Sequence, residues 1–258
     1  MKRVFLISFA SLVAVVFSSC SSVGVYDLQE RSGAVVQERP SRILVEPFSA
    51  QPSAFDLGPR SADEHRMLRS RIVSTLADQT VSQLRIYAAD SAVLQRSTQL
   101  RPGAWLVRGQ IRKVSQGSRA LRATIGLGVG RTKMQTRVTV FQVTSEGLRP
   151  LVSFNTTGSS GLEPGAALGA AGGTASVAAA AGVATGITLN SLPGVSTDIE
   201  RTSYEIAAVV SSFLQSQGLQ DPSRRAINPN MKGRLPTTVN TARIVPEPIR
   251  NQVSTRNE

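Results

Sequence analysis

Three central segments have strand-like sequences, and these segments constrain the fold of the chain more than any other feature. Residues 104–114 place apolar side chains on one side and arginines on the other: Trp105, Val107 and Ile111 against Arg108 and Arg112. Residues 132–143 and 148–157 are two further strand-like runs, joined by a short connection that ends in Gly147. A period of two indicates strands with one buried and one solvated face. The centre of the chain is therefore predicted to be an antiparallel sheet.

Two amphipathic helices flank this sheet in the sequence. A capping-box pattern at residues 61–64 opens the first helix, and a second at residues 197–200 opens the other, which Gly218 is placed to stop. Their apolar residues recur at helical spacing: Leu68, Ile72, Val73, Leu76, Val81 and Leu84, then Ile199, Ile206, Val210, Phe213 and Leu214. Residues 42–48 and 85–89 are predicted strands. The expected fold is α+β, a mixed or antiparallel sheet with two main helices packed on it, over residues 42–218.

The first twenty residues indicate export and lipidation. Lys2 and Arg3 precede an uncharged apolar stretch that is too short to span a bilayer, which is typical of a signal peptide. Two serines then stand directly before Cys20, the single cysteine of the chain, and this run resembles a bacterial lipobox. The resemblance implies cleavage after residue 19 and acylation of Cys20. The alternative is an ordinary cysteine behind an unlipidated signal peptide.

Ser21 directly follows the proposed lipidation site. The resemblance to Gram-negative lipoproteins, which are sorted by the residue at this position, implies that a serine there directs the protein to the periplasmic face of the outer membrane. Residues 20–41 lack sustained periodicity and are predicted to be a flexible tether. Residues 219–258 contain five prolines among polar and basic residues and are predicted to be a disordered basic tail.

A Gly/Ala-rich insertion is predicted over residues 159–196, and residues 164–197 contain no charge. Glycines at every fourth position would form a ridge on a helix: Gly161, Gly165, Gly169 and Gly173. One interpretation is a low-complexity insertion. The other is a glycine ridge that packs against other copies or enters a bilayer.

A glycine-rich element between two strands carries a family resemblance. Residues 117–134 contain the run GLGVG flanked by arginines, followed by the strand hairpin, the run FNTTGSSG and the Gly/Ala stretch. This pattern resembles a bacterial lipoprotein family catalogued as domain of unknown function 4410, over about residues 42–218. The resemblance implies location and fold, and carries no activity. The glycines themselves precede a strand rather than a helix, so they favour a bend over a phosphate cradle.

Basic residues exceed acidic ones, with 29 Lys and Arg against 17 Asp and Glu. Five arginines near the central strands are candidates for an anion-binding surface: Arg108, Arg112, Arg119, Arg122 and Arg131. In the expected compartment the anions would be lipid phosphates, lipopolysaccharide or peptidoglycan carboxylates, and no nucleic acid is expected. The alternative is an ordinary solvated face in an arginine-rich chain.

Few residues suit catalysis. The chain has one histidine, His65, and its one cysteine is assigned to lipid, so neither a nucleophilic triad nor a Cys/His metal site can be assembled. No catalytic residue, metal, cofactor or small-molecule substrate is predicted. We expect a non-enzymatic structural, adaptor or assembly lipoprotein with a membrane anchor and a homo-oligomeric or envelope partner. The alternatives are an oligomeric secretion or transport channel that uses the Gly/Ala-rich segment and an envelope hydrolase.

Overall fold

A computed structural model describes residues 23–31, 36–117, 132–158, 189 and 192–232. In these residues an eight-stranded mixed sheet carries two helices on one face. The predicted α+β fold is confirmed. Cys20, the glycines predicted to form a ridge (Gly161, Gly165, Gly169 and Gly173) and residues 233–258 lie outside the described residues.

Long antiparallel strands dominate the sheet. The strands are β1 (Gly24–Glu30), β2 (Ile43–Val45), β3 (Ser49–Ala50), β4 (Phe55–Asp56), β5 (Ser91–Val93), β6 (Trp105–Ser115), β7 (Lys133–Thr144) and β8 (Gly147–Gly158). Their order is β1-β8-β7-β6-β2-β5, and β3 and β4 also pair with β6. The strands β6, β7, β8 and β1 pair antiparallel, whereas β2 is parallel to both β5 and β6. The predicted strands at 42–48, 104–114, 132–143 and 148–157 are confirmed, with small differences at their ends.

Helix α1 (Ala62–Tyr87) begins as its sequence predicts. Ser61 Oγ accepts a hydrogen bond from the Glu64 backbone N–H, and the Glu64 carboxylate accepts one from the Ser61 backbone N–H. This reciprocal pair satisfies two donors that the first turn leaves open. The predicted apolar stripe faces the core, with Leu68, Ile72 and Leu76 almost fully buried.

Helix α2 (Pro193–Ser216) begins one turn earlier than predicted. Leu192 occupies the N-cap position without a side-chain cap, and Pro193 lies in the first turn. Proline suits this position because it has no N–H to leave unpaired. The predicted capping box at residues 197–200 is therefore wrong, since these residues lie inside the helix. The predicted stop is confirmed at Gly218, which has a φ of +68°.

The predicted strand at residues 85–89 is wrong. Helix α1 continues through Tyr87, and the backbone N–H groups of Ala88 and Ala89 both bond to the Leu84 carbonyl. The strand follows at Ser91–Val93, where it pairs with β2. Ile86 and Tyr87 favour strands on propensity, but the helical stripe that ends at Leu84 keeps this turn packed on the core.

The predicted tether at residues 20–41 is also corrected, because it contains strand β1. Val25 is fully buried, and β1 pairs with β8 along the sheet edge. A β-bulge and the positive φ of Asp27 (50°) interrupt the strand. The interruption breaks the alternation that would have indicated a strand.

The beginning of the predicted disordered tail is ordered. Residues 219–232 follow α2 and return to the sheet edge, where Val25 N donates to the Asn230 carbonyl at 2.8 Å and Lys232 N donates to the Val25 carbonyl at 2.6 Å. Ile227 is 8% exposed. Its burial supplies apolar contact that the polar composition of this segment conceals.

Candidate anion-binding surface

The face of β6, β7 and β8 that lies opposite the helices is called the open face here. Near the start of β6 it carries a small apolar cluster, whose buried members are Leu44, Ala104, Leu106 and Val143. Toward the end of β6 its side chains are polar and partly or fully exposed: Gln110, Lys113, Gln135, Arg137 and Asn155. One end of the open face is therefore apolar and the other is accessible and hydrophilic.

Four exposed cations lie together at the hydrophilic end and form what we call the basic patch: Arg112, Lys113, Lys133 and Arg137. In the register of β6 with β7, Lys113 lies opposite Gln135, and Ser115 lies opposite Lys133. Arg137 lies opposite Gln110 and follows Gln135 by two residues on β7, so both side chains lie on the same face. Directly opposed residues of such a ladder are about 5 Å apart at Cβ and diagonal ones about 7 Å. The patch can therefore present several positive charges to one anionic surface.

A β-bulge in β6 produces part of this patch. Ile111 pairs with Thr136 and Lys113 with Gln135, so Arg112 is the extra residue between them. Ile111 and Val114 both face the core. Because the bulge shifts the alternation by one residue, two consecutive cations, Arg112 and Lys113, are exposed.

Arg108 lies on the open face but is engaged there. Its Nε donates to Glu46 Oε2 at 2.6 Å, and its guanidinium lies 5.6 Å from the centre of the Phe141 ring. A charge paired with a carboxylate attracts a further anion weakly. Arg108 therefore stabilises the contact between β2 and β6 rather than extending the basic patch.

Of the five arginines predicted from the sequence, the structure places Arg108 and Arg112 on the open face, and Arg119, Arg122 and Arg131 lie outside the described residues. Sequence reasoning missed Lys113 and Lys133. Lys133 could have been found, since it alternates with the buried Met134 in the run that predicted β7. Lys113 could not have been found in this way, because the face of the sheet on which its side chain lies depends on the bulge in β6.

Carboxylates that border the basic patch accept hydrogen bonds from neutral side chains. Asp56 Oδ2 accepts from Ser115 Oγ at 3.0 Å, and Asp27 Oδ2 accepts from Asn155 Nδ2 at 3.0 Å. Neither bond neutralises a cation of the patch. The geometry suits binding of phosphate or carboxylate groups through charge and hydrogen bonds.

A second surface feature is an apolar groove between α1 and the β3–β4 segment, with a volume of about 450 Å³. Phe48, Phe55 and Val73 contribute to its walls, and Arg69 and Asp78 lie among its lining residues. His65 lies in the first helical turns of α1 and is not among the residues that line this groove. In the part of the chain that the structure describes, no three His, Cys, Asp or Glu residues group as metal ligands. No helix within the same ranges has the length and apolarity needed to cross a bilayer.

The buried acidic side chain of Glu205 belongs to the helix layer. Glu205 is 7% exposed, and its carboxylate accepts a hydrogen bond from the Asn230 backbone N–H at 2.8 Å. Burial raises the pKa of Glu205, while the Asn230 bond and the charge of Lys232 act in the opposite direction. The residue ties the segment after α2 to the helix and does not reach the open face.

Comparisons with known proteins identify one family and several distantly similar solved structures. No curated protein matches the chain. Two of these structures are a PelC dodecamer from Paraburkholderia phytofirmans and a variant dodecamer of the same protein, with 12% and 14% sequence identity. Each match covers 52% of this chain, with 81% and 83% of the respective PelC chain, and each has a TM-score of 0.33, too low to indicate a shared fold or function. A family model described as domain of unknown function (DUF4410) matches residues 30–181, and the chain therefore belongs to the DUF4410 family.

Proposed function

We propose that this chain is a lipid-anchored, non-enzymatic adaptor on the periplasmic face of the outer membrane, and that its open face is the surface that binds a partner. The observation that carries the proposal is the unequal covering of the sheet. Both helices pack on one face, whereas the hydrophilic end of the other face presents polar and basic side chains to solvent on three long strands. Surfaces of this kind bind partners through charge and hydrogen bonds.

The anchor is proposed from the residues around Cys20. A short basic start, an uncharged apolar stretch and two serines before the cysteine supply what lipoprotein processing requires. Diacylglycerol together with an N-terminal acyl chain would give stable attachment, since a single chain gives only marginal binding.

The anchor is tested by Cys20→Ala in the native host. We expect the wild-type chain in the membrane fraction with a diacylglyceryl-modified N-terminal cysteine by mass spectrometry. The Cys20→Ala chain should lose the modification and remain uncleaved or leave the membrane fraction. A wild-type chain with an unmodified Cys20 would refute the anchor.

The binding surface is tested by placing a photo-crosslinking amino acid at Ser153, on the open face. The matched control is Ser82, on the exposed side of α1. We expect irradiation of intact cells to give a discrete crosslinked product from Ser153 and none from Ser82. The mass of the product separates a second copy of this chain from another envelope protein. Equal crosslinking from both positions would contradict the assignment of the open face.

A further inference from the structure

We propose that the end of the sheet at Gly24 is held against the bilayer and that the basic patch binds the phosphate groups of anionic phospholipids there. The inference rests on the proposed anchor at Cys20 and adds an orientation and a ligand class to it. The lipid surface is the ligand of the basic patch alone, and the protein partner of the proposed function is assigned to the remainder of the open face.

Only a short length of chain separates the proposed anchor from the sheet. Strand β1 begins at Gly24, four residues after Cys20. Even fully extended, four residues span about 14 Å. A domain attached so closely has little freedom to turn away, and the end of the sheet at which β1 begins must lie near the headgroups.

Three other strands begin or end at the same end of the sheet as the start of β1. Gly24 pairs with Thr157, so β8 ends beside the start of β1. Thr157 pairs with Gln135, and Ser115 with Lys133, so β7 begins and β6 ends at the same level. We call this the anchor end of the sheet. The start of β1 therefore brings the ends of three further strands toward the membrane.

The basic patch lies at the anchor end. Lys133 is the first residue of β7, and Lys113 lies two residues before the end of β6. Lys232 is near as well, because its side chain packs over the backbone of Gly24. The chain contains four lysines against a large excess of arginine, and apart from Lys2 in the proposed signal peptide all of them lie at this end. Lysine suits lipid phosphates because its flexible stem lets a point charge reach them.

Distance decides which charges respond to the membrane. Strand β6 has 11 residues and therefore extends about 35 Å from the anchor end to its start. At physiological ionic strength the field of a charged surface falls off over about 8 Å. Exposed arginines in the connection between β5 and β6, such as Arg96 and Arg101, lie away from the anchor end and should contribute almost nothing.

Acidic groups at the anchor end do not cancel the patch. Among the described residues, two carboxylates border it, Asp56 and Asp27, which accept from Ser115 and Asn155, so the four patch cations outnumber them two to one. Asp63 and Glu64 belong to the helix layer, where Arg66 pairs with Asp63 and the backbone of Ser61 donates to Glu64. The open side of the anchor end therefore remains positive.

The test uses the mature chain from position 20 to 258 carrying Cys20→Ala, so that no lipid contributes to binding. Partitioning is measured by cosedimentation with vesicles of phosphatidylcholine that contain phosphatidylglycerol, and with vesicles of phosphatidylcholine alone. We expect binding to the anionic vesicles only, and a loss of binding as salt is raised. Equal binding to both kinds of vesicle would overturn the inference.

The variant Lys113→Gln with Lys133→Gln removes two patch charges. Each basic residue near an anionic surface changes binding about fivefold, so the partition coefficient should fall about 30-fold. The matched control, Arg96→Gln with Arg101→Gln, removes the same charge away from the anchor end and should change it less than about twofold. Circular dichroism and the unfolding midpoint verify that both variants are folded. An equal fall in the two variants would show that total charge matters and not the patch.

A second measurement needs no loss of charge. With Cys20 replaced, the chain has no cysteine, so a single new cysteine gives a unique labelling site. Gln135→Cys places this site within the patch, and Gln95→Cys places it away from the anchor end. Vesicles that contain brominated phosphatidylglycerol should quench a fluorophore at position 135 and leave one at position 95 unquenched. The reverse order, or equal quenching, would overturn the orientation. Both vesicle experiments use the unlipidated chain. Their outcome is therefore independent of the Cys20→Ala fractionation that tests the anchor.

Discussion

At the residue scale, Glu205 is the acidic group whose burial has the clearest consequence for stability. Its carboxylate lies between α2 and the returning segment, where it accepts from the Asn230 backbone N–H. Asn230 Nδ2 in turn donates to the Val23 carbonyl at 2.9 Å. Glu205 thus connects the second helix to both edge segments of the sheet, and does so at the cost of desolvating a charge.

Glu205→Gln tests this desolvation. Because burial raises the pKa of Glu205 in the folded chain, the folded state binds a proton more tightly than the unfolded state. Its contribution to stability therefore declines as pH rises from about 4.3, the pKa of an unfolded glutamate, through the higher folded pKa. The glutamine keeps the acceptor for Asn230 and cannot ionise. We expect the variant to lose this decline and to be at least as stable as wild type at neutral pH, measured by urea unfolding across pH 4–8.

Glu205→Ala is the matched comparison. It removes the carboxylate and also the acceptor, which leaves the Asn230 N–H without that bond. We expect Glu205→Ala to be less stable than Glu205→Gln by about 1–3 kcal/mol at every pH in the same experiment. If glutamine and alanine behaved alike, the hydrogen bond to Asn230 would have no measurable value.

At the element scale, the two helices show how differently an N-terminus can be specified. Helix α1 has a complete capping box at Ser61 and Glu64, which the sequence displays as a local pattern. Helix α2 has no side-chain cap, and its start is fixed by Pro193 together with packing of Leu192 and Val195 in the core. The first start could be predicted because it depends on residues three apart, whereas the second depends on contacts distant in sequence.

Ser61→Ala should lower the free energy of unfolding by about 1 kcal/mol, because it removes the acceptor for the Glu64 backbone N–H. The hydrogen bonds from Ser61 lower the pKa of Glu64 in the folded chain. The stabilisation by the ionised carboxylate is thus lost as pH falls through that lowered pKa, and the difference between wild type and variant should shrink in acid. The matched control is Ser82→Ala, an exposed serine in the interior of the same helix. A control loss equal to that of Ser61→Ala would argue against the cap.

The segments at the sheet edge could not be predicted from local sequence patterns. Strand β1 carries a bulge and an Asp27 with positive φ, and the returning segment at residues 230–232 adds only a short pairing to it. Neither has the alternation that β7 shows from Lys133 to Val140. Both segments become ordered only by pairing with a neighbouring strand that is already in place. A local sequence pattern does not show such pairing.

At the scale of the whole molecule, the segment after α2 closes one edge of the sheet. Ile227 N donates to Ser211 Oγ at 3.2 Å, and Gln220 Nε2 donates to the Tyr87 carbonyl at 3.0 Å. Residues 219–232 therefore contact both helices as well as β1. They are an integral part of the domain.

Two truncations measure this contribution. A chain that ends after Lys232 and one that ends after Gly218 both lack residues 233–258, so their difference isolates the returning segment. We expect the shorter chain to be less stable by about 3–6 kcal/mol, from lost apolar burial at Ile227 and from polar groups left unpaired at Glu205 and Val25. Urea unfolding of the two purified chains gives the difference directly. Equal midpoints would mean that the segment only lies on the surface.

The sequence alone determined the fold class, the three long strands, the face on which each side chain of β7 lies, and the start of α1. These properties follow from period-two or helical spacing and from one capping pair, all of which act over a few residues. It also determined that Arg108 and Arg112 share a strand face. Tertiary structure decided the rest: the bulge that exposes Lys113, the pairing that captures β1, the early start of α2 and the return of residues 219–232. Each depends on contacts between residues far apart in the chain, whose free energy exists only once the sheet and helices have assembled.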